Sequence, residues 1–301
     1  MIETIYKVFV PAGLMILMFG MGLQLVGGDW LRLLRFPRSV LAGLIGQFIL
    51  LPLVALLLVY LLSLPLAVAA GVVILAACPG GVVSNSISFL ARADLALSVS
   101  LTAISSVLAL ITVPIIVVTG LDLVQQGMSE SSHAETISLP LGATFRQLTV
   151  LVLLPLSAGM VLRRFAPGFA LKSDRWFRVG SVVVLLVLMA GAIALEFDFF
   201  LENFSRLWPV LVALNVLTML GGYLLALGFR LKIDQRRTIA IETGVQNVAL
   251  GVLVALNLLQ QPEWIVVPSV YSIVMMLTAF VLITFFSLSR RYSQGGAAAS
   301  V

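Results

Sequence analysis

Apolar residues run through this chain in blocks near the ~20 residues a helix needs to cross a bilayer, and short polar or charged links separate the blocks. The pattern predicts nine spanning helices, at about 5–27, 39–62, 65–91, 94–119, 140–164, 177–200, 206–229, 235–259 and 265–289. No link is long enough to hold a soluble domain. The longest, around 120–139, carries Asp122, Glu130, His133 and Glu135 but no Lys or Arg.

Two of the nine blocks are interrupted. Cys78-Pro-Gly-Gly-Val-Val-Ser-Asn85 lies inside the third, and a Pro-Gly-Gly run breaks a helix. Ile241-Glu-Thr-Gly-Val-Gln-Asn247 places a carboxylate and two amides inside the eighth. Hydrocarbon tolerates open backbone only where protein or a watery cavity takes it up. Two interrupted membrane helices at comparable positions point to a transporter's binding site. Gly81-Val82-Val83-Ser84-Asn85 also echoes Gly244-Val245-Gln246-Asn247. Segments five helices apart run in opposite directions. The expected fold is therefore an all-α polytopic membrane protein built from inverted-topology repeats (4+5), the first repeat lacking its first helix.

Composition agrees. Of the 301 residues 61% are hydrophobic and 10% charged, against about 25% charged in soluble domains. A single cysteine excludes an intrachain disulfide. A net charge of +5 is compatible with nucleic acid as a partner, but its distribution argues against that. Of the 18 basic residues, all but Lys7, Arg146 and Arg206 fall in links of one parity. The positive-inside rule then places the N-terminus outside and the C-terminus in the cytoplasm of a cell (inner) membrane. The first apolar run leads into Arg32, Arg35 and Arg38, which predicts a retained helix rather than a signal peptide. The polar tail 292–301 is expected to be disordered.

Glu242 carries the chemistry. It is the one acidic residue among 13 that lies well inside an apolar block. No Lys or Arg sits at comparable depth, so this carboxyl must hold a proton or face a metal cation. The residues around the breaks offer neutral oxygens: Ser84, Asn85, Gln246 and Asn247, with Gln47 in the second helix. Ser98 and Thr102, spaced i,i+4, share one face of the fourth. Hard cations prefer such all-oxygen cages, and one carboxylate suits a monovalent ion better than Ca²⁺. Half-helices starting near Ser84 and Gln246 aim free N–H groups inward, which favours an anionic substrate group. Cys78 is expected to be a small core residue and His133 a solvent-exposed one. No nucleophile–base pair, phosphate loop or metal-ligand cluster is visible, so an enzyme is not expected.

On these residues the chain resembles the bile acid:sodium symporter family. Met18-Phe-Gly-Met-Gly-Leu23, Gly46-Gln-Phe-Ile-Leu-Leu-Pro52, Ala77-Cys-Pro-Gly-Gly81 with Ser84-Asn85, Leu97-Ser-Val-Ser-Leu-Thr102 and Glu242-Thr-Gly-Val-Gln-Asn247 stand in the family's order. The resemblance implies one transporter domain over 1–291. Its panel would span about 5–27 and 140–200, its core about 39–119 and 206–289, and two discontinuous helices would cross in the core. It implies two sodium ions. The first site would use Ser84, Asn85, Ser98, Thr102 and Glu242. The second would use Gln47, Glu242 and Gln246 with the carbonyls of Thr243 and Val245. Substrate would sit near Val82, Val83 and Asn247, where Val82 replaces the threonine common in the family.

The expected function is sodium-coupled symport of an organic anion, bile-acid-like or a small carboxylate, by alternating access. The alternatives are a proton-coupled or arsenite-type efflux carrier using Cys78 and Glu242, or a non-transporting membrane sensor or channel. The expected partners are sodium, a small organic anion and the bilayer, with no obligate protein partner.

Overall fold

The computed structural model describes residues 2–26, 28, 36–127 and 141–298. Among these residues the named elements are all helical. In chain order they are α1 (Ile2–Gln24), α2 (Pro37–Leu61), α3 (Leu66–Ala77), α4 (Val83–Leu90), α5 (Leu95–Gly127), α6 (Gly142–Phe165), α7 (Pro167–Leu195), α8 (Phe197–Gly228), α9 (Ile233–Gly244), α10 (Val248–Leu258) and α11 (Val266–Ala298). A short 3₁₀ turn, Pro262–Ile265, leads into α11. All but α3, α4, α9 and α10 contain a stretch long and apolar enough to cross a membrane, which makes 7 such helices.

Several boundaries differ from the sequence reading. Helices α7 and α8 start about ten residues earlier than expected and meet at Glu196, whose φ of −120° and ψ of 45° leave the helical region. Pro167 occupies the first turn of α7, where its missing N–H costs nothing. Asp198 complements the dipole at the start of α8. Both helices continue past the apolar block, and hydropathy alone does not mark such ends. Helix α11 likewise runs to Ala298, through much of the tail expected to be disordered. Arg32, Arg35, Glu130, His133 and Glu135 lie outside the described residues.

Helices α3 and α9 are local twins. Each follows a helix closed by a Schellman cap, with a left-handed residue at the turn: Ser63 (φ 45°) before α3 and Arg230 (φ 56°) before α9. Ser63 N–H donates to the Tyr60 carbonyl and Leu64 N–H to Val59. Arg230 N–H donates to Leu227 and Leu231 N–H to Ala226 in the same way. Leu64 and Leu231 are both buried beneath their caps. Each helix then runs for 12 residues before it stops. Ser63 and Arg230, Leu66 and Ile233, and Ala77 and Gly244 all share one sequence offset. The backbone match therefore sets Ala77 against Gly244, several residues away from the pairing suggested by the sequence echo.

The two stops have separate causes. Cys78 precedes Pro79 and is extended (ψ 148°), as the proline ring requires of its neighbour. No proline interrupts the second helix. Val245 is extended there, and the Asn247 side chain accepts from Leu250 N–H to cap α10.

At the crossing the breaks satisfy each other. Gly80 and Gln246 form an isolated antiparallel bridge. Gly81 N–H donates to the Val245 carbonyl at 3.0 Å, and Asn247 N–H to the Pro79 carbonyl at 2.9 Å. Groups that hydrocarbon would leave unpaired are thereby paired. No described glycine has a positive φ, so Gly80 and Gly81 are required for space rather than for backbone freedom. A Cβ on Gly81 would lie 2.7 Å from the Gln246 carbonyl oxygen, and one on Gly80 2.6 Å from Glu242 Oε2.

Around the crossing, α2, α3, α5, α8 and α9 pack on one another, while α1 packs chiefly on α6 and α7. Gly22 and Gly159 let α1 and α6 touch backbone to backbone. Gly222 lets α8 close onto Thr243 of α9.

Candidate functional site

Glu242 lies in the penultimate stretch of α9, just before the second break, and is 3% exposed. Its carboxylate reaches across the crossing to the chain beyond the first break. Ser84 Oγ on α4 donates to Oε1 at 2.6 Å, and Ser98 Oγ on α5 to the same oxygen at 2.5 Å. Thr102 Oγ1, one turn beyond Ser98, donates to Oε2 at 2.9 Å. Asn85 Oδ1 stands 3.0 Å from Ser98 Oγ and 3.4 Å from Thr102 Oγ1. Ser84 Oγ and Thr102 Oγ1 are 3.2 Å apart, and Thr102 Oγ1 is 3.0 Å from the Ser98 carbonyl.

These are seven oxygen–oxygen contacts. Three hydroxyl groups supply only three hydrogens to them. At least four contacts therefore have no hydrogen of their own and are shared hydrogens or facing lone pairs, among buried side chains. Such an arrangement is costly alone and suited to a small cation held by all the oxygens together. Chain geometry builds it: the i,i+4 spacing on α5 aligns Ser98 with Thr102, and the start of α4 turns Ser84 and Asn85 toward them.

A second polar cluster lies on the other side of the crossing. The chain at Gly46–Leu50 forms a π turn within α2, and Pro52, which lacks an N–H, follows two residues on. Gln47 lies in that turn. Its amide donates to the Cys78 carbonyl at 2.7 Å and to Gln246 Oε1 at 2.8 Å. Gln246 Nε2 donates in turn to the Thr243 carbonyl at 2.9 Å. Gln47, Gln246 and Thr243 thus come together, all buried. The Val245 carbonyl instead accepts from Gly81 N–H in the bridge. The Glu242 oxygens face the first cluster.

Of the residues expected near substrate, Val82 and Asn247 are buried and Val83 is half-buried. Asn247 uses its oxygen for the α10 cap, while its buried Nδ2 has no partner among the described residues. Cys78 turns back on its own helix, Sγ to the Ile74 carbonyl at 3.2 Å, apart from the oxygen cage. Among the described residues no group of three His, Cys, Asp or Glu side chains gathers to hold a metal.

Sequence reasoning missed three neighbours. Asn215 Nδ2 on α8 and Tyr271 Oη on α11 both donate to the Gly244 carbonyl, at 2.8 and 2.7 Å, and pair the backbone group freed by the second break. Gln24 Oε1 on α1 accepts from Asn85 Nδ2 at 3.4 Å. Each is a polar residue in an apolar helix, and that was the only available signal.

The model of the sodium bile acid symporter family matches residues 11–203. The chain is 30% identical over 285 residues to an uncharacterized sodium-dependent transporter of Bacillus subtilis, YocS, covering 95% of this chain and 85% of that one. It is 30% identical over 243 residues to a probable chloroplastic sodium/metabolite cotransporter of rice, BASS1, covering 81% of this chain and 57% of the relative. The mouse P3 protein is 34% identical over 223 residues, covering 73% of this chain and 45% of its own length. The chain thus spans about half the length of the plant and animal relatives.

Proposed function

The chain belongs to the sodium bile acid symporter family, sodium-dependent membrane transporters rather than enzymes, and from that premise we propose that it couples inward sodium movement to uptake of a small organic anion by alternating access. One observation carries the ion: the excess of close oxygen contacts over available hydrogens around Glu242. A sodium ion at Ser84, Asn85, Ser98, Thr102 and Glu242 would neutralise the carboxylate and satisfy the lone pairs together. A protonated Glu242 would add a single hydrogen and still leave contacts with none of their own, so the proton-coupled reading is the weaker one.

A second sodium site at Gln47, Glu242, Thr243, Val245 and Gln246 is part of the proposal, with a condition attached. An NH₂ group cannot ligate a cation. Occupancy there requires the Gln47–Gln246 amide pair to open and Glu242 to share its charge between the two clusters.

Counting α3–α4 and α9–α10 as one broken span each gives nine spans in the inverted arrangement. The twin caps and twin 12-residue halves support this reading. The panel would be α1, α6 and α7, and the core the remainder, moving against each other with the N-terminus outside and the C-terminus cytoplasmic. Substrate would meet Val82, Val83 and the unpaired Asn247 amide, an N–H donor suited to an anionic group. Valine at 82 offers no hydroxyl there.

Uptake of a labelled organic anion into proteoliposomes tests the function. Uptake should require inward sodium and collapse in Glu242→Ala. Uptake driven by a proton gradient and indifferent to sodium would refute the ion assignment, as would unchanged sodium dependence in Ser84→Ala with Thr102→Ala.

A further inference from the structure

Beside the crossing, on the flank of the molecule, α8, α9 and α11 leave a groove of about 470 Å³. Trp208, Val216, Leu220 and Tyr223 lie along one face of α8 and form its floor. These residues span about 22 Å at the helical rise of 1.5 Å per residue. Val281 on α11 forms part of the opposite wall and is 64% exposed; Leu220 is 52% exposed. The groove therefore opens outward, where the membrane's acyl chains lie.

Arg237 on α9 is the charged residue in the lining. It lies near the turn that joins α8 to α9, so it stands at the Tyr223 end, opposite Trp208. Arg230, Lys232 and Arg236 are at the same end. The positive-inside rule makes this the cytoplasmic face. The groove thus joins an apolar trough, longer than the ~15 Å of one leaflet's hydrocarbon, to a basic mouth at headgroup level.

We propose that this groove binds an anionic phospholipid of the cytoplasmic leaflet, with one acyl chain along α8 and the phosphate at Arg237. Charge complementarity selects the headgroup, and the length and apolar lining select the chain. The occupant would bear on the ion site. Met219, also in the groove wall, lies against Gly244 at the second break, and Ala240 in the lining precedes Glu242 on α9. A filled groove braces the helix that carries the carboxylate.

Native mass spectrometry of the delipidated full chain tests this. Phosphatidylglycerol and phosphatidylcholine would be offered in equal amounts, with oleate as a competitor in a parallel arm. Phosphatidylglycerol should be retained preferentially. Arg237→Gln should abolish the preference, and Leu220→Trp, which fills the trough, should abolish retention. Sodium-dependent thermal stabilisation of the same samples reports independently on the ion site and on folding of the variants. If Arg237→Gln does not fold, Leu220→Trp carries the test. Equal retention of the two lipids, a preference that survives the substitutions, or displacement by equimolar oleate would each overturn the proposal.

Discussion

Both interrupted helices begin just beyond a left-handed cap residue, run for 12 residues and stop. The first is stopped covalently, because Pro79 forces Cys78 into an extended conformation. The second is held open from outside, by Asn215 and Tyr271 on the Gly244 carbonyl and by the Asn247 cap. Their chemistry differs as well. The chain after the first break supplies neutral oxygens, while the chain before the second supplies the only carboxylate in the cage. Neither break assembles the oxygen cage by itself. The cage exists only where the two cross, so an ion bound in it would report whether the crossing is intact.

The sharpest way to break this division is to remove the charge from the second helix. Glu242→Gln should abolish sodium-dependent thermal stabilisation and uptake. Truncating one partner of a buried charged contact costs about 2–5 kcal/mol, so sodium affinity should fall about 30-fold or more. Retained stabilisation by sodium in this variant would mean that the neutral half suffices.

Next comes the contact between the breaks. Gly81→Ala drives a methyl into backbone at Gln246, which has no rotamer to yield. Gly244→Ala meets the side chain of Met219, which does. Overpacking costs about 1–3 kcal/mol, and the Gly81 variant should sit at the top of that range with the Gly244 variant at the bottom. Denaturation midpoints of the two variants compare them directly, and a larger loss for Gly244→Ala would reverse the assignment.

A smaller effect is expected within the neutral half. Ser98→Ala removes one hydroxyl from the cage and should weaken sodium about tenfold, the value of a hydrogen bond to a charged group. Sodium titration of transport current or uptake measures it. Smallest is Asn247→Ala, which loses the α10 cap at a cost of about 1 kcal/mol. A much larger loss of uptake than of thermal stability in that variant would reveal the amide acting on substrate as well as on the helix.

Much of this site was legible in the sequence because membranes punish irregularity. Glu242 stood out because nothing else of its kind lies so deep, and Pro79 because it cannot sit inside a helix. The i,i+4 spacing of Ser98 and Thr102 fixed their common face. What could not be read were contacts made between distant segments. Nothing in the sequence says that Tyr271 reaches Gly244, that Gln24 approaches Asn85, or that the Val245 carbonyl is spent on the bridge. Helix ends at Glu196 and Ala298 also escaped, since a helix leaving an apolar block needs no change of backbone. The sequence echo sets Gly81 against Gly244, whereas the caps and helix lengths set Ala77 against Gly244. The matching caps use Ser63 and Arg230, residues with no side-chain similarity.

The backbone bridge at the crossing has an evolutionary consequence. Gly81 to Val245 and Asn247 to Pro79 are main-chain bonds, indifferent to which side chains surround them. Side chains around the joint, Val82 among them, can therefore change without unfastening it. Under the proposed function, cargo would be free to drift while the driving ion stays the same.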